Sequence, residues 1–192
     1  MTKLNMKPLL VMAAMLVATP TAWATPDALR AKVERALSAR HRPPTARQLL
    51  QYGLDVDVVL RQIVEEPRGN RLARNRALTT LRHFPGMETR ALLEHVLNKT
   101  IGATRGIAIL DLGQALRSYA MVVGPESLRR VQPLLQHQVL EVRLAAAGAL
   151  RLSKHRDARA LIRSRLTLET STTGRAELKQ QLVILDRTDL AR

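Results

Sequence analysis

The C-terminal two thirds of this 192-residue sequence contain an internal repeat. Segment 74–97 reads RNRALTTLRHFPGMETRALLEHVL and segment 143–166 reads RLAAAGALRLSKHRDARALIRSRL, and the two align without a gap. The shift that takes Arg74 to Arg143 corresponds to two units of about 34 or 35 residues, so one further unit lies between the two segments. Such a period is typical of helical solenoids, in which each unit is one supersecondary element.

Each unit contains Ala and Leu residues three and four positions apart, then a short break, then a second amphipathic run. This spacing predicts two helices per unit, each with one apolar face. We expect units at about 70–100, 104–138 and 140–168, and helix starts at Asn70, Thr104 and Ser153. No alternation typical of strands extends beyond a few residues, so the predicted fold is all-α, an α-solenoid of stacked helical hairpins.

The third unit opens with Glu141, Val142 and Arg143, followed by the run LAAAGAL. This pattern resembles the HEAT-repeat superfamily, in the bacterial form related to phycobilisome-lyase-type repeats. The resemblance covers 70–187, although the first unit has Leu-Ala where Glu-Val would stand and the middle unit lacks Val-Arg. It implies a stack of two-helix repeats and a structural role between repeats for Arg74 and Arg143, and it implies little about function.

The regions on either side of the repeats are expected to cover the ends of the stack, because terminal repeats must shield one apolar face. Region 25–69 predicts N-terminal capping helices or a divergent repeat, with a helix at 26–40 and a short hairpin at 45–66. Within 70–192, the last helix is expected at 174–190, after a loop at 170–174.

Residues 1–24 have the three parts of a secretory signal peptide: basic Lys3 and Lys7, the apolar run LLVMAAMLVA, and an Ala-Trp-Ala cleavage pattern ending at Ala24. We expect cleavage after Ala24 and a periplasmic or extracellular protein with no integral membrane span afterwards. The alternative is a retained N-terminal helix buried in the fold.

The net charge is +15, from 31 basic and 16 acidic residues. An anionic partner explains this excess, and arginine enrichment that follows from genome composition explains it equally. The aromatic content of 2% leaves too few rings for a base-stacking platform, which weakens an interpretation as a single-stranded nucleic acid binder.

We find no pattern that predicts catalysis, and we expect no cofactor, no metal ion and no catalytic residue. The chain has no cysteine, and its five histidines are scattered, without metal-ligand spacing. Asp55 and Asp57 are expected to cap a helix start, and Asp111, inside an apolar helix, is expected to pair with an arginine of a neighbouring helix.

Equivalent repeat positions align along one surface of a solenoid, so Arg90 and Arg159 are expected to form a ladder with Arg129 or Arg130 between them. Eight arginines form the candidate basic surface: Arg71, Arg76, Arg90, Arg129, Arg130, Arg156, Arg159 and Arg163. The predicted function is a non-catalytic interaction or scaffold module that holds a protein with an acidic surface. The alternatives are binding of a polyanion (nucleic acid, anionic lipid headgroup or acidic polysaccharide) and, third, an enzyme related to the chromophore lyases.

Overall fold

A computed structural model describes residues 26–39, 43–66 and 68–190. Every regular element in these ranges is helical and none is a strand, which confirms the all-α prediction. The predicted signal peptide, residues 1–24, lies outside the described residues.

The N-terminal region contains three helices, α1 (Pro26–Ser38), α2 (Ala46–Leu50) and α3 (Val56–Glu65). Helix α2 begins with a capping box: the Thr45 hydroxyl accepts the Gln48 backbone N–H, and the Gln48 side chain accepts the Thr45 backbone N–H. These bounds agree with the helix and short hairpin expected here.

The repeat region contains seven α-helices and three 3-10 segments among the described residues. The α-helices are α4 (Arg71–Thr80), α5 (Met87–Thr100), α6 (Ile107–Val123), α7 (Leu128–Val131), α8 (Leu140–Ser153), α9 (Ala158–Leu168) and α10 (Thr172–Leu190). The 3-10 segments are Leu81–His83, Gly124–Ser127 and Gln132–Gln136. The starts of α4 and α8 are separated by the same shift as the two repeated segments, as the internal repeat requires.

Only one of the three predicted helix starts is confirmed. Asn70 caps α4, because its side-chain oxygen accepts the backbone N–H groups of residues 72 and 73 at 2.9 and 3.1 Å. Thr104 does not start a helix, since α6 begins after Gly106, whose φ of 73° suits glycine. Ser153 ends α8 instead of starting α9, which follows Asp157.

The middle unit lacks the ten-residue second helix that the sequence pattern predicts. Its second half is a four-residue α7 between two 3-10 segments. Pro125 and Pro133 stand near the starts of those segments, and a proline has no backbone N–H to donate to a longer α-helix. The last helix also differs from expectation, because it starts at Thr172 and includes most of the residues of the loop predicted at 170–174.

The helices contact one another in two rows. The first helices of successive units pack in the order α1, α4, α6, α8 and α10. The second elements lie beside them, and each packs mainly against the first helix of the following unit: α3 on α4, α5 on α6, and α9 on α10. Helix α5 therefore has α6 as its main partner and makes little contact with α4, its predicted hairpin partner.

Helix α6 is the centre of the packing, with contacts to α4, α5 and α8. Small residues allow α6 and α8 to approach closely: a Cβ atom added at Gly113 would lie 3.4 Å from the Cβ atom of Ala145. Among the described residues, one stretch, Ile107–Gln136, is long and apolar enough to cross a membrane by length and composition. Core helices of soluble proteins meet the same criterion, and the neighbours of α6 on several sides support that interpretation.

An arginine at the same repeat position connects successive units in two places. In the first unit, Arg74 Nε donates to Asp111 Oδ2 on α6 at 3.1 Å, and its Nη1 donates to the Val64 carbonyl of α3. In the third unit, Arg143 donates to the His137 carbonyl before α8 and to Glu169 before α10. The expected pairing of Asp111 with an arginine between helices is confirmed.

Glu169 is the buried end of the second connection, with a fully buried side chain. Its carboxylate accepts two hydrogen bonds from Arg143 at 2.9 Å, one from Arg165 Nη2 at 2.9 Å and one from the Ser171 backbone N–H at 3.1 Å. The bonds from Arg143, with smaller contributions from Ser171 and Arg165, lower the pKa of Glu169 from 4.5 to about 2 against the opposing effect of burial.

Replacing Glu169 with glutamine should lower the free energy of unfolding by about 3 kcal/mol, because Arg143 and Arg165 would lose their buried counter-charge. Chemical denaturation at pH 7 measures this change. Glu65→Gln is the matched control, since Glu65 is exposed and should change stability by less than about 0.5 kcal/mol.

The same carboxylate gives a pH dependence. Because its folded-state pKa lies below the unfolded value, Glu169 stabilises the fold above about pH 4.5, and this contribution is lost as the pH falls towards 2. Between these pH values, the free energy of unfolding should fall less in Glu169→Gln than in the unmodified chain. Equal pH profiles for the two proteins would contradict the assigned role of Glu169.

Candidate binding surface

Two neighbouring clefts open where the first helices of the units end and the second elements begin. The upstream cleft, of about 680 Å³, lies among α5, the end of α6 and α7, and the downstream cleft, of about 510 Å³, lies among the end of α8, the start of α9 and the end of α10. His155 lines both clefts. We call the basic residues of both clefts the basic rim: Arg90, Arg129, Arg130, Arg151, Lys154, His155, Arg156 and Arg159.

Local backbone signals place these side chains at one end of the helices. Helix α6 ends at Gly124, whose φ of 70° turns the chain towards Arg129 and Arg130. Lys154, the residue after α8, is the only described non-glycine residue with a positive φ, at 58°. This left-handed residue turns the chain towards α9 and leaves its own side chain exposed at the mouth of the downstream cleft.

In the upstream cleft, Glu94 pairs with Arg90 and with Tyr119. Its Oε1 accepts from Arg90 Nε at 3.1 Å and from the Tyr119 hydroxyl at 3.1 Å. The bond from Arg90 lowers the pKa of Glu94, and burial, together with the bond to Glu94, raises the pKa of Tyr119. Arg90 also lies 4.0 Å from Glu126, so this residue is largely neutralised within the chain.

The two arginines of α7 are more available to a partner. Arg130 donates through Nη1 to the side-chain oxygen of Asn98, a neutral acceptor, at 2.7 Å, and it forms no ion pair within 4.0 Å with a described residue. Arg129 is exposed, and it makes no hydrogen bond or ion pair with any residue that the structure describes. The upstream cleft therefore contains both neutralised and available cations.

The downstream cleft is the more strongly basic of the two. Arg151, Lys154, Arg156 and Arg159 line it, and its described lining includes no carboxylate. Arg156 lies 3.7 Å from Asp157, and Arg159 pairs with Asp186 at 2.9 Å. Arg151 donates through Nε to Gln181 at 2.7 Å, and burial lowers the pKa of its guanidinium.

Five of the eight arginines proposed from the sequence lie on this rim: Arg90, Arg129 and Arg130 line the upstream cleft, and Arg156 and Arg159 line the downstream cleft. The other three lie elsewhere. Arg71 and Arg163 are exposed outside both clefts. Arg76 donates to the Leu37 and Ala39 carbonyls at the end of α1, so its guanidinium has a structural role.

Sequence reasoning did not include Arg151, Lys154 and His155 in the surface. Arg151 had a usable signal, because it begins the basic stretch 151–165. Lys154 and His155 belong to the short break between helices, whose course depends on the left-handed backbone at Lys154 and is not visible in helical periodicity.

Two acidic residues noted in the sequence, Asp55 and Asp57, lie at the start of α3. Asp55 precedes α3, as expected of a cap, but its side chain makes no capping hydrogen bond. Asp57 forms an ion pair with Arg61 one turn along the helix, at 2.8 Å. Within 26–39, 43–66 and 68–190, no group of three or more histidine, aspartate or glutamate side chains could hold a metal ion.

In comparisons with known proteins, no protein-family model matches the chain, and neither the curated proteins nor the solved structures give a significant match.

Lys154→Gly should raise the free energy of unfolding by about 1 kcal/mol, because glycine adopts the left-handed conformation without the steric cost of a side chain. Chemical denaturation measures the change. If the Lys154 side chain made a stabilising contact, the glycine variant would unfold with a lower free energy instead. A less stable variant would therefore contradict the interpretation of Lys154 as an exposed rim cation.

Proposed function

We propose that this chain is a non-catalytic binding module, an α-solenoid of HEAT-like helical hairpins, which holds an acidic protein on its basic rim after export. The observation that carries the proposal is the convergence of basic side chains from three successive units on two adjoining clefts.

The order of helix contacts supports the solenoid. Each first helix packs against the first helix of the next unit, and each second element packs between two units. Arg74 and Arg143, which occupy the same position in two repeat units, both connect the end of the preceding unit to a carboxylate of the following one. Repeated connections of this kind are expected where each unit contacts only its neighbours.

The charges of the rim support an acidic partner. Arg129 and Lys154 are exposed and unpaired within the described residues, and the lining of the downstream cleft includes four cations and no carboxylate. A complementary negative surface would steer association and fix the orientation of the partner. Rim cations that already have partners, such as Arg90, would contribute less.

The pattern of charge favours a protein over a uniform polyanion. Carboxylates interrupt the rim at Glu94, Glu126, Asp157 and Asp186, and a polymer with a negative charge at every unit would meet each of them. A protein surface can place its own cations opposite these positions. The single aromatic side chain of the rim clefts, Tyr119, is buried, so it offers no stacking face to a base.

Binding of the partner should depend on the charges of the rim and not only on the net charge of the chain. The mature chain, tagged and incubated with the envelope fraction of its native host, is expected to capture one stoichiometric protein. Reversal of two exposed rim charges, Arg129→Glu with Arg156→Glu, should reduce capture at least tenfold through lost complementarity.

The matched control is Arg71→Glu with Arg163→Glu, which makes the same change in net charge on exposed residues outside the clefts. It should retain capture. Equal losses in both double variants would mean that net charge alone drives binding, and recovery of a heterogeneous anionic polymer with a steep salt dependence would favour the polyanion alternative.

Export is a separate part of the proposal and is supported by the signal-like pattern of residues 1–24. Mass spectrometry of the protein isolated from its native host should find a chain that begins at Thr25. An intact Met1 in that material would contradict cleavage.

A further inference from the structure

The lining of the downstream cleft combines apolar and basic side chains. Three of its apolar residues, Met121, Leu152 and Leu185, come from three different helices, and we call them the apolar floor. Met121 is 38% exposed, and Leu152 and Leu185 are half-buried. The lining also includes Arg151, Lys154, Arg156 and Arg159, which we call its basic side. A volume of about 510 Å³ is sufficient for a bulky side chain together with short stretches of its flanking backbone.

The positive charge on this side is in excess. Arg151 lies near Arg117, and burial, together with this like charge, lowers the pKa of Arg117. Glu177 acts on both guanidinium groups and already accepts a hydrogen bond from Gln181. Lys154, which lines the cleft together with Arg151, has no partner among the described residues. A ligand carboxylate in the cleft would compensate the charges of Arg151 and Lys154.

A small inorganic anion would satisfy only the basic side and leave the apolar floor in water. A ligand that covers both sides must combine negative charge with an apolar group, because apolar surface is stabilised by removal from water and the cations by opposite charge. Short acidic peptide segments with one large aliphatic residue have this composition.

We infer that the downstream cleft is the anchor point for an acidic peptide segment of the partner, in which an aliphatic side chain lies on the Met121–Leu152–Leu185 floor between carboxylates. The flanking carboxylates pair with Arg151, Lys154 and Arg156. This inference rests on the proposed function and adds to it the place and the chemistry of recognition.

Two labelled peptides provide the test. The first probe is fluorescein-labelled Gly-Glu-Glu-Leu-Glu-Glu-Gly, and the second replaces its leucine with serine at unchanged charge. Fluorescence anisotropy with the full chain at constant salt measures both dissociation constants. The leucine peptide should bind about tenfold more tightly, as expected for partial burial of one leucine side chain.

Substitutions on the two sides of the cleft should have different effects. Met121→Gln removes apolar floor at a partly exposed position, so it should reduce the preference for leucine at least threefold while the fold is retained. Lys154→Gly removes a cation, so it should weaken binding of both peptides by a similar factor. Arg163→Glu, outside the cleft, should leave the ratio of the two affinities unchanged.

Equal affinity for the two peptides, or a leucine preference that Met121→Gln leaves intact, would overturn the inference. If the peptide test fails in this way but the double variant at Arg129 and Arg156 still loses the native partner, only the anchor is wrong and the basic rim stands as the binding surface. If the double variant also captures the native partner as well as the unmodified chain does, the proposed function fails too.

Discussion

The buried ion pair of Arg143 and Glu169 connects α8 to the segment between α9 and α10. Its two charges lie between three helices, and the arginine also holds the carbonyl groups of His137 and Gln138. Placing two charges away from water is costly, and the attraction between them offsets that cost only where the geometry and the remaining hydrogen bonds are good. Glu169 meets this condition through two parallel bonds from Arg143, a third from Arg165 and a fourth from a backbone N–H.

This ion pair also limits the residues around it. A Cβ atom added at Gly174 would lie 2.9 Å from Glu169 Cγ and 2.9 Å from Leu140 Cδ1, so the first turn of α10 can approach the carboxylate only without a side chain there. The glycine and the charge pair therefore both contribute to the position of α10 against α8. The end of α10 in turn supplies Leu185 to the downstream cleft, which connects the packing of the helices to the shape of the candidate site.

Local and burial arguments were sufficient for part of the fold. Asn70 is a capping residue before an Ala- and Leu-rich run, and capping depends only on neighbours in sequence. Asp111 in an apolar helix required a partner, and Arg74 lay at the position that the repeat pattern marks as structural. Glu169 could not be identified in the same way, because it stands outside the helices and its main partner, Arg143, is distant in sequence.

The repeat positions identified members of the candidate site that lie inside helices. Arg90 and Arg159 share a repeat position, and the structure brings both to the rim. Lys154 and His155 reach the clefts through a left-handed turn, which depends on how α8 and α9 pack. Arg76 was predicted on the surface but is not part of it. Its position would be exposed on an isolated helix, whereas in the fold its guanidinium donates to carbonyl groups at the end of α1.

The central claim is that the chain binds its partner on the basic rim and leaves the other faces free. Hydrogen exchange of backbone amides, measured by mass spectrometry with and without the captured partner, tests it most directly. Slower exchange on binding should be concentrated in segments 124–131 and 150–159, which carry the rim between and beside the helices. Protection confined to 26–66, with unchanged exchange at the rim, would contradict the account.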